Sequence, residues 1–171
     1  MEPMGDQQPA QGNLAPIALF CFRRPAHLAR VLEALQANTL ASASILYLFC
    51  DGPRGPQDQL EVDEVRRVAR AASGFAKVEV RCLEVNQGLA QSIISGVSEV
   101  LKRHGRVIVL EDDLVTSPYF LTFMNEALEK YEDTETVASI HGYLFPVLEH
   151  LPETFFIRGA DCWGWATWSR A

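Results

Sequence analysis

No two cysteines of this chain form a C-x-x-C pair, no apolar run approaches the thickness of a bilayer, and basic residues are outnumbered by acidic ones. Each absence removes a class of protein. Cys21, Cys50, Cys82 and Cys162 are scattered, and three of them fall in or beside apolar runs. That pattern argues against a zinc site or a disulfide framework, and buried free thiols in a reducing cytoplasm are expected. Lysine and arginine number 15 against 22 acidic residues, a formal net charge of −7. Nucleic-acid and anionic-membrane binding rest on clustered cations, so neither partner is expected. A small anion held by a few arginines or by a metal remains compatible with that charge. "APIALFCF" is too short to be a transmembrane segment. "MEPMGDQQPAQGN" lacks the basic-then-apolar order of a secretory signal. The expectation is a disordered tail over residues 1–14 and a single domain over 15–171. Repeats and low-complexity blocks are also missing.

What the chain does have is alternation. "PIALFCF" (16–22) reads as a buried strand. "PAHLARVLEALQAN" follows, with proline at the helix start and an apolar stripe through Leu28, Val31, Leu32 and Leu35. "ILYLFC" (45–50) is a second strand, and "DGPRGPQD" a loop by its glycine and proline content. "QLEVDEVRRVARAA" predicts a helix with a stripe through Leu60, Val65, Val68 and Ala72. "KVEVRCL", the turn "NQGL", the helix "AQSIISGVSEVLKRHG" and the strand "RVIVL" continue the order. "SPYFLTFMNEALEKYE" predicts a helix capped by Ser117. "TVASIHGY" and "TFFIRG" read as two later strands. Strand–helix alternation at this spacing implies βαβ units, hence an α/β fold with a mostly parallel central sheet and helices on both faces. Such sheets bind ligands at the carboxyl ends of their strands. "RRP", "DGPRGP", "NQGL" and "EDDL" then share one edge.

The last of these is the most costly. Glu111, Asp112 and Asp113 stand together at the end of an apolar strand, where like charges repel. The triplet also reads as a solvated acidic loop, but its position on the same edge as Asp51 and Arg24 favours a hard divalent cation. Mg²⁺ and Mn²⁺ take oxygen ligands and keep waters and phosphate oxygens in their shell, so one protein carboxylate can suffice. Arg24 can meet phosphate oxygens or a base edge, and Arg23 is the weaker choice of the two. Asp51 can accept an imide N–H of a base or a ribose hydroxyl, although Asp-Gly-Pro is also a good turn on its own. Asn86 and Gly88 form a turn whose helix offers backbone N–H groups, or a turn and nothing more.

"ALFCFRRPAHLARVLEAL", "LYLFCDGPRG", "NQGLAQSIISGV", "VIVLEDDLVTSPYFLTFMNEALEKY" and "WGWATW" resemble the bacterial GT-A (Rossmann-like) glycosyltransferases. Within that fold they fall nearest the branch similar to N-acetylglucosaminyltransferase I and the broad family-2-like transferases. The similarity runs from about Pro16 to Trp168. It implies a nucleotide-diphospho-sugar donor, a UDP-sugar by preference, with Mn²⁺ or Mg²⁺, and transfer to a carbohydrate acceptor with inversion. By the same resemblance the triplet takes the D-x-D role. Asp113 is then the direct metal ligand, and Asp112 a second candidate. Asp112 and Glu111 face the donor or tune the metal. Asp51, with Gly52 beside it, contacts uracil. Arg24 keeps its place after strand one, and Asn86, Gly88 and Leu89 line the nucleotide.

The pattern breaks at the carboxyl end. In the related enzymes the catalytic base and much of the acceptor site follow "WGWATW", whereas this sequence ends at Ala171. Asp161 is the only nearby carboxylate and is the candidate base. Trp163, Trp165 and Trp168 are expected either to stack on an acceptor sugar or to pack a terminal helix, and His141 and Gly142 are further acceptor-side candidates. The reading is a donor-binding half, either catalytic or a non-catalytic nucleotide-sugar-binding fragment. A phosphoacceptor receiver domain is excluded, because "RRP" follows strand one and no lysine occurs after Lys130.

Overall fold

The computed structural model describes residues 14–148 and 150–171. Of the tail expected over 1–14, residues 1–13 lie outside them. The chain begins with β1 (Ile17–Cys21), α1 (Pro25–Gln36), β2 (Ile45–Cys50) and α2 (Gln59–Arg70). It continues through β3 (Lys77–Cys82), α3 (Leu89–His104), β4 (Arg106–Glu111) and α4 (Phe120–Lys130), and ends with β5 (Ser139–His141) and β6 (Trp165–Trp168). The sheet order is β3-β2-β1-β4-β6-β5. The first four strands run parallel, and β6 is antiparallel to both β4 and β5.

Strand alternation divides the core in two. Ile17, Leu19, Leu46, Leu48, Ile108 and Leu110 face one side, where they meet the stripes of α1, α2 and α4. Ala18, Phe20, Tyr47, Val107 and Val109 face the other side, against Val97 and Val100 of α3. Each fully buried leucine or isoleucine contributes about 1.5–3 kcal/mol over its exposed state, so continuous apolar strands are what a two-sided sheet requires. The chain reverses its progress across the sheet between β1 and β4, and that switch point is where open α/β sheets take ligands.

Four expectations are corrected. "TFFIRG" (154–159) forms no strand; the sixth strand is Trp165–Trp168, not the terminal helix that was one of the two readings of the tryptophans. The aromatic and β-branched residues of "WATW" suit an edge-ward strand, and their pairing partner β4 is remote in sequence, beyond the reach of local patterning. Leu60 is exposed, because α2 turns Val62, Val65 and Ala69 inward instead. Helix α4 starts at Phe120 after Tyr119, without a side-chain cap from Ser117. Cys21 and Cys50 are buried and free as expected, but Cys82 and Cys162 are free and exposed, since β3 is an edge strand and Cys162 lies in a loop.

Candidate active site

The loops after β1, β2, β3 and β4 meet at the carboxyl edge of the parallel strands. Pro25 stands in the first turn of α1, which begins directly after Arg24. Arg24 therefore reaches across the switch point to the end of β4. Its Nη1 donates to Asp113 Oδ2 at 2.8 Å, and its Nη2 pairs with Asp112 Oδ1. Asp112 is buried, and its Oδ2 accepts the backbone N–H of Phe22 at 3.0 Å. Both of its oxygens are thus engaged from the loop after β1. Asp113 keeps 42% of its side chain exposed and faces the rim.

The charges respond to this geometry. Burial pushes Asp112 above the usual carboxylate range, against the Phe22 N–H and the Arg24 guanidinium, which pull it down. Glu111 is raised by burial and then by the negative charges of Asp113 and Asp112. Burial works to lower Arg24, but its bonds and attraction to Asp112 and Asp113 win and raise it. One guanidinium thus faces three carboxylates, and the cluster has capacity for more positive charge.

Asp51 has a different environment. Its Oδ1 accepts the N–H groups of Gly52 (2.8 Å) and Gln87 (2.9 Å), and its Oδ2 accepts Asn86 Nδ2 (2.8 Å) and the Gly88 N–H (3.0 Å). Four donors use the capacity of a carboxylate, so Asp51 fastens the 86–88 turn to the end of β2. Gly52 permits that approach: a Cβ there would fall 2.4 Å from the Val85 carbonyl carbon. Gly88 precedes α3 with φ of 78°, a left-handed conformation that favours glycine. Leu89 opens α3 and is exposed.

Arg23, the weaker of the two arginine choices, is held from the second loop and α2 by residues that sequence patterning passed over. Arg23 adopts φ of 54°, an uncommon state for a side-chain-bearing residue. It is held there by Asp58 at 2.5 Å and Glu61 at 2.7 Å. The Asp58 side chain is 1% exposed and its Oδ2 accepts the Arg54 N–H, which explains why it does not cap α2. Arg54 lies 5.0 Å over the Phe22 ring. The sole local signal was an aspartate before a helix, which reads as a cap.

The acceptor-side candidates are spread differently. Asp161 Oδ1 accepts the Trp163 N–H at 2.9 Å. Trp163 is exposed and packs with Tyr143 and Phe145, at ring separations of 4.7 and 5.2 Å. Trp165 lies in β6 opposite His141 and packs against the α3-side core. Trp168 is buried and donates its indole N–H to the Leu128 carbonyl. His141 Nε2 bonds Ser139 Oγ at 2.7 Å, while its Nδ1 is buried without a partner. Gly142 sits against Phe120 and Met124.

No group of three or more His, Cys, Asp or Glu side chains able to hold a metal occurs among the described residues. A fully protein-built cage is therefore not what this rim offers. A half-exposed carboxylate beside an arginine fits a hard cation whose remaining ligands are water and phosphate oxygens.

The mostly parallel sheet flanked by helices is a GT-A, Rossmann-like fold. Residues 16–145 match the family described as glycosyltransferase like family 2, and the chain belongs to that family. No curated protein matches it. Among solved structures, one that matches is the mannosyltransferase PcManGT from Pyrobaculum calidifontis in complex with GDP-Man and Mn²⁺. It is 14% identical with a TM-score of 0.52, over 78% of this chain and 37% of that one. This chain thus spans little more than a third of that enzyme's length.

Proposed function

We propose that this chain binds a nucleoside-diphosphate sugar at the β1–β4 switch point and serves glycosyl transfer to a carbohydrate acceptor with inversion. The observation that carries the reading is the convergence of Arg24, Asp112 and Asp113 at one rim, with the Asp51-fastened turn beside it. Asp113 would hold Mn²⁺ or Mg²⁺, and Asp112, already bonded to Phe22 and Arg24, would position both Asp113 and Arg24. When bound, the ion neutralises charge gathering on the leaving diphosphate. Arg24 donates to the same diphosphate from the side of β1. Asp51 shapes the nucleoside pocket through residues 86–88. A carboxylate takes the acceptor proton, and Asp161 is the candidate with an oxygen to spare. The resemblance favours a UDP-sugar, and the GDP-Man of the mannosyltransferase makes guanosine the comparison donor.

The test measures release of UDP or GDP from the corresponding sugar nucleotides with Mn²⁺, in the wild type and in Asp113→Ala. Metal-dependent release abolished by the substitution supports an enzyme. Calorimetric binding without release makes the chain a binding module. Absence of metal-dependent binding overturns the reading.

A further inference from the structure

Cys21, Cys50 and Cys82 end three neighbouring strands and lie in one register row, with Cys21 opposite Cys50 and Cys50 opposite Cys82. In-register residues of adjacent strands point to the same face, with Cα atoms about 4.8 Å apart. That separation falls within the roughly 4.4–6.8 Å that a disulfide spans. Cys21 Sγ lies 3.4 Å from Cys50 Sγ, deep in the core. The three thiols differ in access, because Cys82 is exposed on the edge strand while the other two are buried.

We propose that Cys82 and Cys50 form a reversible dithiol–disulfide site beneath the donor rim, oxidised by peroxide-class oxidants. Cys82 is the member an oxidant reaches. Its thiolate attacks the hydroperoxide O–O bond to give a sulfenic acid, and the other oxygen leaves as water or alcohol. The Cys50 thiolate then attacks the Cys82 sulfur. The S–S bond forms, the S–O bond breaks, and the hydroxide that leaves takes up from solvent the proton that Cys50 lost on ionising, giving water. Two thiols are oxidised by two electrons in total and one peroxide is reduced.

Access sets that order, since Cys82 is exposed and Cys50 is buried. Cys50 is lowered below the usual thiol range, first by its bond with Cys21, then by Cys82 and by the charges of Arg66 and Arg70 on α2. Arg66 keeps its Nε–H buried without an acceptor among the described residues. Its charge works to lower both Cys50 and Cys82, although burial and then the neighbouring Cys50 leave Cys82 above the usual thiol range. The bond would pin β2 to β3 directly behind Asp51, where Leu83 N–H already donates to the Cys50 carbonyl at 3.0 Å.

The experiment treats the full chain, in a Cys162→Ser background, with hydrogen peroxide. Intact mass and peptide mapping follow after alkylation. The expected result is the loss of two hydrogens, a Cys50–Cys82 linked peptide, and full reversal by dithiothreitol. Cys82→Ser, an exposed change, should abolish that loss, while Cys21→Ser should retain it. Progress of Cys82 to sulfinic or sulfonic acid without a link overturns the proposal. So does a Cys21–Cys50 link that persists in Cys82→Ser. None of these readouts depends on donor binding.

Discussion

Asp51 shows how one carboxylate organises a rim. Its two oxygens collect four N–H groups, three of them from residues 86–88. Asp51→Ala should leave those donors unpaired and cost about 1–3 kcal/mol of stability. Amide hydrogen exchange should speed up at Gln87 and Gly88 while the amides of β4 stay protected. Asp113 should behave in the opposite way. It is half-exposed and bonded to a single arginine, so Asp113→Ala should leave the melting temperature nearly unchanged. The same substitution should remove Mn²⁺-dependent nucleotide binding. Sequence made Arg24, Asp51 and the acidic triplet legible, because each follows a recognisable strand. It did not reveal the Phe22 N–H on Asp112, or Asp58 under Arg23, since both contacts join segments at least 35 residues apart.

Among the described residues, α3 is the helix that covers its face of the sheet, and Gly96 lets it approach. A Cβ at Gly96 would fall 2.7 Å from Phe20 Cε1 and 3.2 Å from Phe49, whose rings stack with centroids 4.9 Å apart. Gly96→Ala should therefore cost about 1–3 kcal/mol, read by chemical denaturation. The carboxyl end of α3 carries a pH effect. His104 bonds the Tyr47 hydroxyl, and burial and then Arg103 lower it from its ordinary value. A lowered imidazole binds fewer protons folded than unfolded, so stability rises with pH through that window. It should be fully present above the ordinary histidine value near pH 6.5 and fall as pH drops towards the folded value. His104→Gln should flatten that slope in urea titrations. The four parallel strands were readable as apolar runs because both of their faces are buried. β6 was not, because its four residues gain their strand character from pairing with β4, and the tryptophans equally suited a helix.

On the scale of the whole molecule, a chain of net charge −7 is asked to bind a diphosphate. Arg24 is shared among Asp112 and Asp113, so its donation to an incoming dianion does not neutralise it without a metal. Nucleotide affinity should therefore fall sharply on adding a chelator. Titrations that overlay with and without chelator would contradict the metal assignment. The most direct measurement is a crystal soaked with Mn²⁺ and UDP or GDP, recorded at the manganese edge. The account predicts an anomalous peak within bonding distance of Asp113 at the end of β4, with diphosphate oxygens completing its shell. A peak elsewhere, or a nucleotide bound with Asp113 still paired to Arg24 alone, would contradict it.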